Sequence, residues 1–168
     1  MTIGRRLFIG LAFGCGAALH PLRALAALIG PTGGEPYPLT ALRPYLDTLI
    51  PRDDAASATD IGVDEHLRHL ARLDSGYIRL LQYGCKWLDD RAKTLGAADF
   101  ASLDPARRET VVAQAAAAPE GSSLRAFFDQ TRDDAMEAYY SDPRNWPAIG
   151  FRGPPQPDGY PDFAGPPA

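Results

Sequence analysis

Between residues 39 and 140 the apolar positions recur at intervals of three and four, the period of helices that each bury one face. Leu42, Leu46, Leu49 and Ile50 form the first stripe; Thr40 is the expected N-cap, Pro44 lies early enough to be tolerated, and Pro51 is the stop. Val63, Leu67, Leu70 and Leu73 predict a second, short helix reached through Asp60-Ile61-Gly62. A third runs from about Ser75 to Leu95 and buries Tyr77, Leu80, Leu81, Leu88 and Leu95, with Gly96 as a left-handed cap. Asp104-Pro105 opens a fourth through a capping carboxylate followed by proline at the first helical position. That helix carries Val111 and Val112 and fades into Ala115–Ala118 before Pro119 and Gly121. The last begins near Ser122 or Ser123 and sets Leu124, Phe127, Phe128, Thr131, Ala135 and Tyr139 on one face. No segment alternates with period two and no hairpin signal occurs. The predicted class is all-α, a small bundle of about five helices.

From Ser141 to Ala168 the pattern changes. This stretch holds eight of the chain's 16 prolines, interleaved with Trp146, Ile149, Phe151, Tyr160 and Phe163. Proline at that density opposes helix and removes ladder donors, so an extended tail is expected. A free tail would be polar; aromatics spaced along a stiff strand read as anchors set into a surface, of this chain's own body or of a partner.

The first 26 residues read as an address. Arg5 and Arg6 precede an apolar run from Leu7 to Leu19, His20-Pro21 breaks it, and Ala24-Leu25-Ala26 follows as a small-x-small cleavage site. The run is well short of the roughly 20 residues needed to span a bilayer. Arg5-Arg6-Leu7-Phe8-Ile9 resembles the twin-arginine export motif, whose route carries proteins already folded. The organisation expected is thus an export signal over 1–26, a linker over 27–38, a helical domain over 39–140 and a partner-wrapping tail over 141–168.

Charge and composition narrow the function. The 168 residues carry 17 basic and 21 acidic side chains, a net charge of −4, which argues against a nucleic-acid partner. Cleavage after Ala26 removes three arginines and takes the charge to −7, leaving Cys85 as the sole cysteine. Cys85 then reads as a small buried apolar residue, as half of a cross-chain disulfide, or as a reactive thiol. His66 and His69, three apart on one helix, share a face and could supply two metal ligands, but the HExxH order is absent. No GxSxG elbow, GxGxxG or GxxxxGK[ST] loop or CxxCH haem attachment occurs. The carboxylate pairs Asp53-Asp54, Asp89-Asp90 and Asp133-Asp134 read as solvated faces and loop ends, with Asp53-Asp54 setting a turn after Pro51. The sequence therefore predicts no catalytic, cofactor-binding or metal site within this chain.

Three segments in order carry a family resemblance: Asp47-Thr48-Leu49-Ile50-Pro51-Arg52-Asp53-Asp54 with Ile61-Gly62-Val63; Leu88-Asp89 through Phe100-Ala101-Ser102-Leu103 to Arg107; and Tyr139-Tyr140-Ser141-Asp142-Pro143 with Trp146 and Ile149-Gly150. Over about residues 39–153 the chain resembles the gluconate 2-dehydrogenase subunit 3 family, small subunits of membrane-associated, flavin-dependent sugar and alcohol dehydrogenases. A glycine- and asparagine-bearing stretch usual in the family is shortened here to Arg144-Asn145, and residues 154–168 fall outside the pattern. The resemblance implies a large partner subunit that carries FAD and oxidises a sugar, sugar acid, polyol or alcohol. It further implies a membrane-bound cytochrome subunit with haem c, or quinone, as the electron acceptor. The small subunit would hold no cofactor. It would lend its signal (Arg5, Arg6, Phe8, Ala24, Ala26) to the twin-arginine translocation machinery and ride into the periplasm with the folded flavoprotein. Partner contact is expected at Tyr139, Tyr140, Asp142, Pro143, Trp146, Ile149, Gly150 and Phe151. Two rival readings are a stand-alone periplasmic helical binding protein and a bundle metalloenzyme built on His66 and His69.

Overall fold

The computed structural model describes residues 36–153. The expected signal, with Arg5, Arg6, Phe8, Ala24 and Ala26, most of the linker, and tail residues 154–168 lie outside the described residues. Five α-helices and no strand occur among those described: α1 Leu42–Leu49, α2 Val63–Leu73, α3 Ser75–Thr94, α4 Pro105–Ala116 and α5 Ser123–Ser141. The all-α bundle is thus the observed class. None of these helices is long and apolar enough to cross a membrane.

The helix boundaries follow from local chemistry. Asp74 caps α3 by accepting from the backbone N–H groups of Gly76 and Tyr77 at 2.7 and 3.3 Å. Asp104 caps α4 through the Arg107 N–H at 2.9 Å, and Ser122 caps α5 through the Arg125 N–H at 3.2 Å. At the end of α3, Gly96 takes φ +81°, so its N–H reaches the Lys93 carbonyl and that of Ala97 reaches the Ala92 carbonyl. Thr40 is not the N-cap of α1. Ala41 already has helical angles and no side chain caps it, because the chain arrives through a turn in which the Leu42 N–H meets the Leu39 carbonyl.

The core gathers around α3, which packs against α2, α4 and α5 and receives Phe100 from a short 3₁₀ turn, Phe100–Ser102. Leu42, Tyr45 and Leu46 of α1, Leu67 of α2, Leu81 and Leu88 of α3, Val111 of α4 and Phe127 of α5 are fully buried. Burying each large apolar side chain contributes about 1.5–3 kcal/mol. The Tyr45 and Phe127 rings lie 5.1 Å apart, and the Tyr45 hydroxyl meets Thr131 Oγ1 at 2.8 Å. Where α3 crosses α5, Gly84 faces the Phe127 ring.

Two apolar positions depart from the expected stripes. Leu73 is 73% exposed and Ala71 is buried in its stead, since six residues beyond Leu67 a side chain has turned about a third of a circle off the buried line. Leu95 is half-exposed because α3 stops at Thr94, and Ala92 supplies the last buried position. Asp89 is not solvated. It is buried and accepts from the Phe100 N–H at 2.9 Å and the Tyr37 hydroxyl at 2.8 Å, tying the α3–α4 connection and the segment before α1 to α3. Asp64, also buried, lies 3.4 Å from the Arg43 guanidinium.

Candidate functional site

An exposed face with several large apolar side chains is built by the segment after α1 and the end of α5. Pro51 cannot continue α1, and the chain leaves the helix at Ile50, whose N–H still bonds the Leu46 carbonyl. Asp53 then accepts from the Ala55 N–H at 2.8 Å, the turn its position predicted. Two further carboxylates hold the loop. Asp47 accepts from the Thr59 N–H at 3.0 Å and the Thr59 hydroxyl at 2.8 Å. Asp60 accepts from the Ser57 N–H and pairs with Arg52, and together these hold its carboxyl below the usual range. Tyr139 of α5 donates its hydroxyl to the Ala56 carbonyl at 2.7 Å, which fastens the loop to the bundle.

Beyond α5 the chain does not run out as an extended strand. Pro143–Asn145 wind into a 3₁₀ turn and residues 146–150 continue as turns. Hydrogen bonding outweighs proline content here. Asp142 accepts from the Arg144 N–H at 2.8 Å and pairs with the Arg144 guanidinium, which pulls its carboxyl down to about 2. Arg144 also reaches across to the Ile61 carbonyl at 2.7 Å. Asn145 is buried and donates to the Tyr139 carbonyl at 2.8 Å, satisfying a carbonyl at the end of α5. The Trp146 indole N–H donates to the Tyr140 carbonyl at 3.1 Å, and the Phe151 ring meets the indole edge-on at 5.0 Å. Gly150 sits at φ +71°, a conformation that lets the chain turn back so that the Phe151 N–H bonds the Trp146 carbonyl. With only Arg144 and Asn145 between Pro143 and Trp146, this C-terminal cap is tight.

Together these segments border an open groove of about 440 Å³ lined by Leu49, Ile50, Pro51 and Ala55 on one side and Met136, Tyr140, Ala148 and Ile149 on the other. Met136, Tyr140 and Ile149 are 41%, 47% and 52% exposed, and Phe151 beside them 42%. Asp53 and Asp54 stand at the rim, and neither is in an ion pair among the described residues.

The residues expected to meet a partner divide accordingly. Tyr140, Ile149 and Phe151 face outward and Trp146 half so, whereas Tyr139 is buried and spent on Ala56. Asp142 and Pro143 open the 3₁₀ turn, and Gly150, at positive φ, turns the chain back toward Trp146. Met136 was missed by the sequence reading, although its position one turn before Tyr140, off the Phe127–Thr131–Ala135 stripe, was a legible sign. Leu49 and Ile50 belong to the predicted stripe of the first helix and Asp53-Asp54 to the predicted turn; their place across the groove from α5 depends on tertiary packing.

The remaining candidates lie elsewhere. Cys85 is fully buried and free, the position of the small buried apolar residue among its three readings. Burial, with Asp89 nearby, pushes its thiol up to about 12, opposite to the shift of a reactive cysteine. His66 and His69 are exposed, His69 Nδ1 lying 3.4 Å from Arg72. Among the described residues no three His, Cys, Asp or Glu side chains are grouped to hold a metal ion. Asp90 pairs with Lys86 and Lys93, Asp133 with Arg132, and Asp134 accepts from Gln130.

The family model described as gluconate 2-dehydrogenase subunit 3 matches residues 39–153, nearly the whole described body. No curated protein and no solved structure matches the chain.

Proposed function

The chain belongs to the gluconate 2-dehydrogenase subunit 3 family, and from that premise we propose that it is the non-catalytic small subunit of a periplasmic, FAD-dependent sugar, polyol or alcohol dehydrogenase. Membership makes it a subunit of a gluconate 2-dehydrogenase-type complex. The match over 39–153 is the observation that carries the reading. The outward-facing Met136, Tyr140 and Ile149, collected around one groove, support it as a surface made for a larger protein. In this reading FAD belongs to the large subunit and haem c to a third, membrane-bound subunit. The small subunit escorts the folded flavoprotein through twin-arginine export by means of Arg5, Arg6 and Phe8, then stays on it as a stabilising cover.

Affinity purification of the full chain from its host, followed by a visible absorption spectrum and sequencing of what accompanies it, tests the proposal. The expected result is a flavin spectrum arriving with a larger polypeptide. A chain that purifies alone, colourless and as a stable monomer refutes it. In the host, Arg5→Lys with Arg6→Lys is expected to leave both polypeptides in the cytoplasm; normal export of the flavoprotein in that variant refutes the escort role.

A further inference from the structure

Resting on the reading above, we propose that the groove between Leu49–Ala55 and Met136–Ile149 is the seat of the large subunit, and that its occupant is an apolar segment of that subunit flanked by lysine or arginine. Three large apolar side chains, Met136, Tyr140 and Ile149, turn into the groove or its mouth while remaining two-fifths to one-half exposed. They are held there by hydrogen-bonded backbone rather than by chance: the Asn145 bond to the Tyr139 carbonyl, the Trp146 bond to the Tyr140 carbonyl and the Tyr139 bond to Ala56 fix both walls. Two of the segments that carry the family resemblance, far apart in sequence, face each other across it.

Charge decides what fits. Asp53 and Asp54 line the groove with exposed carboxylates that are in no ion pair among the described residues, while Arg52, the nearest cation in sequence, is occupied by Asp60. The chain's own residues 154–168 contain Asp158 and Asp162 and no lysine or arginine, so they bring like charge to the rim. A second copy meeting the groove face to face sets the same aspartates against each other. A segment with an aliphatic or aromatic residue for the groove and a basic residue for the rim satisfies both features.

The test uses the flavoprotein that purifies with the full wild-type chain, identified by its flavin absorbance and its sequence, stripped and rebound to variants. Ile149→Glu, Met136→Glu and Asp54→Lys replace exposed side chains and are checked by helical circular dichroism and thermal midpoint. The expected result is at least a tenfold rise in Kd for each, with folding unchanged. Wild-type binding should weaken with salt more steeply than that of Asp54→Asn. Unchanged rebinding by all three variants overturns the groove and leaves the subunit assignment standing. Loss with both Glu variants but not with Asp54→Lys overturns the basic flank. A wild-type dimer dissociated by Ile149→Glu, or rebinding that tightens when residues 154–168 are deleted, assigns the groove to a second copy or to the tail and overturns the proposal. A wild-type chain that brings no flavoprotein overturns this proposal and the subunit assignment together.

Discussion

Gly84→Ala is expected to destabilise the bundle even though it improves the helix that contains it. A Cβ at residue 84 would lie 2.1, 2.2 and 2.4 Å from Cδ2, Cε2 and Cγ of Phe127. Carbon atoms rest at about 3.5–4.0 Å, so the ring must retreat by more than about 1 Å. It has nowhere to go. Phe127 is fully buried against Tyr45, whose hydroxyl is fixed on Thr131 one turn further along the same helix. The helices must therefore part or the ring must leave its rotamer, an overpacking cost of about 1–3 kcal/mol that belongs at the upper end here. Alanine recovers about 1 kcal/mol of helix propensity, which leaves a net loss of roughly 1–2 kcal/mol. In thermal unfolding followed by circular dichroism, the midpoint should fall by roughly 2–8 °C. Phe127→Leu in the same chain should offset part of the loss, so that the double variant is more stable than the sum of the singles. A Gly84→Ala chain more stable than wild type, by about the propensity gain alone, would refute a tight α3–α5 crossing.

Asp89→Ala should cost about 1–3 kcal/mol in urea unfolding, because the buried Phe100 N–H loses its acceptor; a change under about 0.5 kcal/mol would contradict the bond's burial. In a Cys15→Ser chain, Cys85 should resist a thiol reagent under native conditions and react only as the protein unfolds; rapid native labelling would show it accessible. Asp142 has a folded pKa depressed to about 2, so its support for the C-terminal cap is complete above about 4 and is lost as pH falls through about 2. In a Trp87→Phe background the Trp146 fluorescence should hold steady down to about 4 and change below it. The same step seen in Asp142→Asn would assign it to another group.

Much of the fold was legible because local chemistry and packing agree. Asp104-Pro105, Ser122 and Gly96 act within a few residues, and each behaves as its neighbours dictate. The failures share a cause. Asp89 resembles its solvated neighbour Asp90 until the α3–α4 connection folds back and aims the Phe100 N–H at it. Thr40 has the composition of a cap but not the backbone. The proline-rich stretch after α5 read as extended on composition, and only the long-range bonds of Arg144 to Ile61 and of Tyr139 to Ala56 show why it coils back onto the body. Outward placement of Tyr140, Ile149 and Phe151 could be guessed from their type, but the partner wall from Leu49 to Ala55 could not, since no local pattern links it to α5.

That coiling also bears on how the proposed interface gains affinity. An extended tail with the same aromatics would lose its conformational freedom on binding, at about 1–2 kcal/mol per backbone residue fixed, and would need its anchors to repay the loss before any net affinity appeared. Residues 143–151 are already ordered by Asp142, Asn145 and the Trp146–Phe151 contact, so Ile149 and Tyr140 meet a partner as parts of a rigid wall. Asn145 is the buried link in this arrangement, because its side chain ties the turn to the Tyr139 carbonyl, while the Trp146 indole adds a bond to Tyr140 nearer the surface. Asn145→Ala should thus weaken flavoprotein rebinding although the residue is buried and touches no partner, and the helical signal should persist because α1–α5 do not depend on it. The loss should grow with temperature as the cap loosens. If rebinding by Asn145→Ala matched wild type, the outward-facing side chains would be acting without the scaffold beneath them, and preorganisation would play no part in docking.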